Sequence, residues 1–154
     1  HLSIRRQRQM CIRDRYCMGG YRFAPENEQK LFKVLASKSL DDCLTQFRHR
    51  DDVSFVKFAT PAAVKKYVAG YWLSDDAQVA LINRGNGELI KELISRYSPE
   101  HGMCWQAEVE LVKLGATEAV RQYIAFHSMC WEALSLLKEN FPAVAEEYYA
   151  KHPY

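Results

Sequence analysis

An internal repeat is the feature that most restricts how this chain can fold. Residues 63–68 align with residues 89–94 and 119–124, and each copy is followed by Tyr71, Tyr97 or His127 at the same offset. A second segment also recurs, because residues 76–82 match 106–112, with a looser copy at 132–137. A recurrence of this length is typical of a repeat architecture in which stacked units share one core.

The period is short and slightly irregular. Val64 and Ile90 are 26 residues apart, and Ile90 and Val120 are 30 apart. Because insertions are tolerated in loops, residues 98–102 are predicted to lengthen one turn between helices. An earlier copy is indicated by Leu40, Cys43, Leu44 and Phe47 and by residues 55–58, and an incomplete last copy by Val144 and Tyr148. About four and a half units are expected.

Both halves of the unit have the apolar spacing of a helix that buries one face. Val64, Tyr67, Val68 and Tyr71 follow the i, i+3, i+4, i+7 pattern. The helix boundaries are marked by residues with known end preferences: proline at a first turn, glycine after a last turn, and Ser or its equivalent at an N-cap. These residues are Pro61, Pro142, Gly85, Gly115, Ser74, Cys104 and Cys130.

No run of alternating β-branched residues competes with the helical pattern. A single helical hairpin of this size cannot close a core, but stacked hairpins can. The predicted fold is all-α, a right-handed α-solenoid of stacked antiparallel helical hairpins of the HEAT/armadillo-like kind.

Residues 76–86, together with 88–90, resemble the unit of uncharacterised bacterial proteins built from short HEAT-like repeats. The resemblance is strong over residues 61–140 and weak over 28–60. Later copies depart from it, with Leu114 in place of Arg84 and Ala116 in place of Asn86. The resemblance implies a helical repeat fold and no activity or catalytic residue.

The first fifteen residues differ in origin from the rest. Residues 5–14 read as CGT CGG CAG CGT CAG ATG TGT ATA AGA GAC, which resembles a transposase sequencing adapter translated in frame. The alternative is a natural basic arm that contacts nucleic acid. We expect a non-native leader at 1–15, a linker at 16–27 and a helical repeat domain at 28–152.

Removing the leader changes the sign of the net charge. Five of the 21 Lys and Arg residues and one of the 19 acidic residues lie in it, so the remainder carries −2 instead of +2. Most of the electrostatic argument for a phosphate-backbone partner is thereby lost. The chain has no apolar run of about 18 residues and no signal-peptide core, so it is expected to be cytoplasmic, without a membrane partner.

Candidate chemistry is sparse. The five cysteines form no C-x-x-C pair, and Cys104 and Cys130 are expected to lie too far apart for a disulfide. His127 and Cys130 could form a thiol–base pair, but a packing role for His127 is the simpler interpretation. Asp75 and Asp76 are expected to complement a helix dipole. We therefore predict no catalytic, cofactor-binding or metal-binding residue, and no cofactor.

Three tryptophans, Trp72, Trp105 and Trp131, lie at or near the predicted turns between helices. Tryptophan is enriched at interface hot spots, so these residues are the predicted contact surface for a partner. The alternative is that they simply seal the ends of the hairpins. A possible basic column on the first helices is interrupted by glutamates, which favours a solvated mixed-charge face; its basic members are Lys65, Lys66, Lys91 and Arg121.

The predicted function is a non-enzymatic protein-interaction or scaffold module, because solenoids offer an extended surface and no residue pattern here supplies chemistry. We expect the chain to be a fragment of a longer array, with an unidentified protein as its partner. Nucleic-acid binding by a HEAT-like array is the alternative. It requires a continuous positive groove, which the interleaved acidic residues argue against.

Overall fold

The structure, a computed structural model, describes residues 52–97 and 101–152, and within these ranges every regular element is a helix. The expectations for the leader, the linker and the copy at residues 40–47 lie outside the described residues. The eight described helices are α1 (Asp52–Phe58), α2 (Pro61–Gly70), α3 (Asp75–Asn83), α4 (Gly87–Arg96), α5 (Trp105–Lys113), α6 (Thr117–Ile124), α7 (Trp131–Asn140) and α8 (Pro142–Lys151).

The helices form two rows. In the odd row, α1, α3, α5 and α7 each contact the next member, and in the even row α2, α4, α6 and α8 do the same. Helices that follow one another along the chain also touch, as α3 and α4 do, and α5 and α6. The all-α prediction is confirmed, and the arrangement is compatible with a helical repeat. None of the described helices has the length and apolar character needed to cross a membrane.

The predicted helix boundaries agree with the structure. Pro61 and Pro142 each occupy the first position of a helix, where the missing N–H removes no hydrogen bond. Gly85 and Gly115 follow α3 and α5 with φ of 69° and 73°, a conformation that other residues adopt at a cost. Ser74 is the N-cap of α3, and its hydroxyl accepts a hydrogen bond from the Ala77 N–H at 3.3 Å.

The core lies between the two rows. The predicted stripe residues Val64, Tyr67 and Val68 are buried, as are their counterparts in α4 and α6. Tyr71 differs from the prediction. It follows the end of α2, is 37% exposed, and stacks on Tyr67 with ring centroids 5.0 Å apart. Its counterparts Tyr97 and His127 also follow the ends of their helices but are buried, as predicted.

Buried polar side chains connect consecutive helices of the odd row. On α1, Asp52 is 2% exposed, and its Oδ2 accepts a hydrogen bond from the backbone N–H of Ser74 at 2.7 Å. On α3, Gln78 is 4% exposed, and its Oε1 accepts the N–H of Cys104 at 2.9 Å. Each acceptor thus binds the N-cap amide of the next odd-row helix, a group that no helix satisfies internally.

Glu108 on α5 repeats this contact. Its Oε2 accepts the N–H of Cys130, the N-cap of α7, at 2.6 Å. Its Oε1 accepts the O–H of Tyr123 at 2.6 Å, and the Tyr123 oxygen in turn accepts the N–H of Met103 at 3.0 Å. Burial and the adjacent Glu108 raise the pKa of Tyr123, which keeps the phenol protonated as a donor. We call the three contacts Asp52–Ser74, Gln78–Cys104 and Glu108–Cys130 the amide ladder.

The Tyr123 hydroxyl leaves no room for a side chain at Gly102. A Cβ on Gly102 would lie 2.6 Å from Tyr123 Oη. We therefore expect Gly102→Ala to displace the hydroxyl and to lower the free energy of unfolding by about 1–3 kcal/mol. Urea unfolding measures this change.

Gly87→Ala is the matched control. A Cβ at Gly87 meets nothing within 4 Å. Because alanine lowers the conformational entropy of the unfolded chain, this variant should leave the free energy of unfolding unchanged or raise it by about 0.4–1 kcal/mol. Equal stability of the two variants would show that Tyr123 does not occupy the position described.

Candidate partner-binding edge

The longer turns, which precede α3, α5 and α7, lie at one edge of the two rows. The N-cap thiols show how these helix starts are arranged. Cys104 Sγ is 3.7 Å from the carbonyl oxygen of Asp75, the first residue of α3. Cys130 Sγ is 3.8 Å from the carbonyl oxygen of Trp105, the first residue of α5. The first residues of α3, α5 and α7, namely Asp75, Trp105 and Trp131, therefore lie side by side, and we call them the start row.

All three predicted tryptophans are exposed at this edge. The exposed fraction is 46% for Trp72, 55% for Trp105 and 73% for Trp131. Trp105 and Trp131 are neighbours in the start row. Large apolar side chains with this much exposure, placed together on helix ends, are typical of a contact surface.

Trp72 is not equivalent to the other two. It lies in the turn before Ser74, where its ring meets that of Tyr97 edge-on with centroids 5.1 Å apart. The Cζ atom of Arg96 lies 4.9 Å from the centroid of the Trp72 ring. One face of Trp72 is thus covered by a cation from its own chain. The structure places Trp105 and Trp131 on adjacent helix starts and leaves Trp72 outside the start row.

Phe126 is an exposed aromatic residue that the sequence reasoning missed. It lies in the turn between α6 and α7 and is 66% exposed. Its position between the stripe residues Ile124 and His127 was a usable signal, because an aromatic residue off the buried stripe must point elsewhere.

The carboxylates at this edge have no cationic partner among the described residues. Asp75, Asp76 and Glu132 are exposed in the first turns of α3 and α7, as expected for acidic residues near a helix N-terminus. None of the ion pairs found in residues 52–97 and 101–152 includes them. Three negative charges at this edge are thus left for solvent or a partner.

In the even row, by contrast, charged side chains form ion pairs. Lys65 pairs with Glu92 at 3.6 Å across two helices. Arg121 bonds both Glu118, at 2.8 Å, and Glu147, at 3.1 Å, and these bonds raise the pKa of its guanidinium. The basic column considered from the sequence is therefore interleaved with acid. Exposed pairs such as these add little stability, but they reduce the positive potential of the face.

A cavity of about 420 Å³ lies beside Trp72. Gln78 lines this cavity, and both polar atoms of its side-chain amide form hydrogen bonds: Nε2 donates to the Leu73 carbonyl, and Oε1 accepts from the Cys104 N–H. The Tyr97 hydroxyl is buried without a hydrogen-bond partner in the described part of the chain, and burial raises its pKa. The cavity is lined by Trp72, Leu73, Gln78, Tyr97, His101 and Gly102.

His127 and Cys130, the thiol–base pair considered from the sequence, have separate partners. The His127 ring is buried and stacks on Tyr123 with centroids 4.6 Å apart, and burial lowers its pKa. Cys130 Sγ accepts a hydrogen bond from the Ala133 N–H at 3.4 Å, and burial together with Glu108 raises its pKa to about 11. An activated thiolate needs a lowered thiol pKa and a charged imidazole beside it, so the environment opposes this chemistry.

Cys104 and Cys130 are both free thiols. In the part of the chain that the structure describes, no three His, Cys, Asp or Glu side chains gather where they could hold a metal ion. Comparison with known proteins gave no match among family models, curated proteins or solved structures.

The raised pKa of Cys130 predicts that its thiol is alkylated slowly. At pH 8 its alkylation by iodoacetamide in the folded protein should be on the order of 100-fold slower than in urea, because the thiolate is the reacting form. Mass spectrometry of the Cys130 peptide over time gives both rates. A folded-state rate equal to the rate in urea would contradict the described environment.

Proposed function

We propose that this chain is a non-enzymatic protein-interaction module built as a right-handed α-solenoid of about four and a half HEAT-like repeats. The observation that carries the proposal is the pair of exposed indoles, Trp105 and Trp131, on adjacent helix starts. Residues buried in the centre of an interface are enriched in tryptophan, and two exposed indoles on adjacent helix starts offer a centre of that kind.

The backbone beneath these rings supports the proposal. Trp105 follows Cys104 and Trp131 follows Cys130, and both cysteine amides are held by the amide ladder. A contact residue on a fixed helix end loses less conformational freedom on binding than one on a flexible loop. The start row therefore offers apolar area at a low entropic cost.

Protein is favoured over nucleic acid as the partner because of charge. Three of the four cations of the even-row basic column, Lys65, Lys91 and Arg121, are paired with glutamates, and the carboxylates of the start-row edge are unpaired within the described residues. A phosphate backbone is recognised by clustered lysine and arginine. Neither surface provides such a cluster.

Site-specific photo-cross-linking tests the proposed function. We would replace Trp131 with a benzophenone amino acid in cells that produce the full chain, and replace Lys91 in a second variant. Lys91 is exposed on the even row, and among the described residues its ion pair is with Glu88 of its own helix. Discrete cross-linked proteins are expected at position 131 and not at position 91.

Trp105→Ala in the position-131 variant should reduce the cross-linking yield, because the two rings form one surface. If position 131 gave no product above that of position 91, the proposed function would be rejected.

A further inference from the structure

We infer that the start row binds an arginine-bearing segment of the partner protein, with guanidinium groups stacked on Trp105 and Trp131. The inference rests on the proposed function and names the chemistry of its partner. It is carried by three observations: a cation already stacked on a tryptophan of this edge, two further indoles without one, and unpaired carboxylates beside them.

Trp72 and Arg96 provide the example within the molecule. The guanidinium carbon of Arg96 lies 4.9 Å from the Trp72 ring centroid, within the range of a cation–π contact. In the described ranges no cation lies over Trp105 or Trp131, and these rings are also more exposed than Trp72. Their faces are open to the kind of group that Trp72 already holds.

The charges beside the open rings are complementary to such a group. Asp75 neighbours Trp105 in the start row, and Glu132 follows Trp131 directly on α7. Both carboxylates are exposed and have no ion pair with any described residue. An arginine stacked on either ring would have a carboxylate close by. A neutral or acidic segment would gain no favourable charge interaction with that carboxylate.

The geometry sets the spacing of the partner's arginines. Helices in contact lie about 8–10 Å apart, so Trp105 and Trp131 present two sites at roughly that distance. In the polyproline II conformation, which has three residues per turn and a rise of about 3.1 Å per residue, arginines three positions apart lie on one face of the segment about 9 Å apart. Arginine is preferred to lysine because its planar, weakly hydrated guanidinium stacks on an aromatic face.

Titration of the full chain with the capped peptide Gly-Arg-Gly-Gly-Arg-Gly tests the inference. The indole N–H signals of the three tryptophans are followed by NMR and assigned with single Trp→Phe variants. The signals of Trp105 and Trp131 should move on addition of the peptide, and the signal of Trp72 should not. The same peptide with lysine should bind more weakly, and the peptide with glutamate should not bind.

Single substitutions distinguish the contribution of the Trp131 ring to binding from that of the Glu132 charge. Trp131→Ala should weaken binding of the arginine peptide at least tenfold, and Glu132→Gln by a factor of about two to five, because only one charge contact is lost. Glu139→Gln is the control for charge, since Glu139 is exposed at the other end of α7. Leu114→Ala is the control for an exposed apolar residue away from the start row, since Leu114 follows the other end of α5. Both controls should bind as the unaltered chain does.

Three results would overturn the inference: no movement of the Trp105 and Trp131 signals, equal movement with the glutamate peptide, or self-association of the chain that Trp131→Ala abolishes. The last result would identify the start row as a contact between copies. If cross-linking at position 131 succeeds while the arginine peptide fails to bind, the interaction function stands and only the chemistry of the partner is wrong.

Discussion

The amide ladder is the interaction on which the described structure depends. An N-cap amide has no acceptor within its own helix, and leaving such a group buried and unpaired costs about 1–3 kcal/mol. Here the acceptor is a side chain 22 or 26 residues earlier, on the preceding helix of the odd row. Hydrophobic contact alone lets helices slide and rotate, whereas one buried acceptor fixes the start of the next helix at one point.

The candidate site follows from this constraint. Because each ladder contact fixes an N-cap, the residue after it is placed beside its counterpart on the neighbouring helix. Trp105 and Trp131 are exposed at that position, while Asp75 occupies it on α3. The same local geometry therefore presents a carboxylate in one repeat and indoles in the next two. The difference between Asp75 and the two tryptophans of the start row comes from substitutions at one repeated position.

The sequence predicted the helices well because their signals are local. Apolar spacing, Pro61, Gly85 and Ser74 act within one or two turns, and the structure agrees with each. The ladder was not predicted, because its contacts depend on the rotation of helices more than 20 residues apart. Gln78 and Glu108 do align between copies. A polar residue that recurs at one position of a buried stripe could therefore have indicated the ladder. The sequence already separates Trp72, two residues before the predicted N-cap Ser74, from Trp105 and Trp131, which directly follow Cys104 and Cys130; the structure shows that this difference places Trp72 outside the start row.

Hydrogen exchange of the N-cap amides tests the ladder most directly. The amides of Ser74, Cys104 and Cys130 should be protected nearly as well as those inside the helices. The amides of Trp105 and Trp131, one residue later, have no acceptor among the described residues and serve as the comparison. Slow exchange at the N-caps with fast exchange at these tryptophans is the predicted result. Equal, fast exchange at both positions would contradict the account.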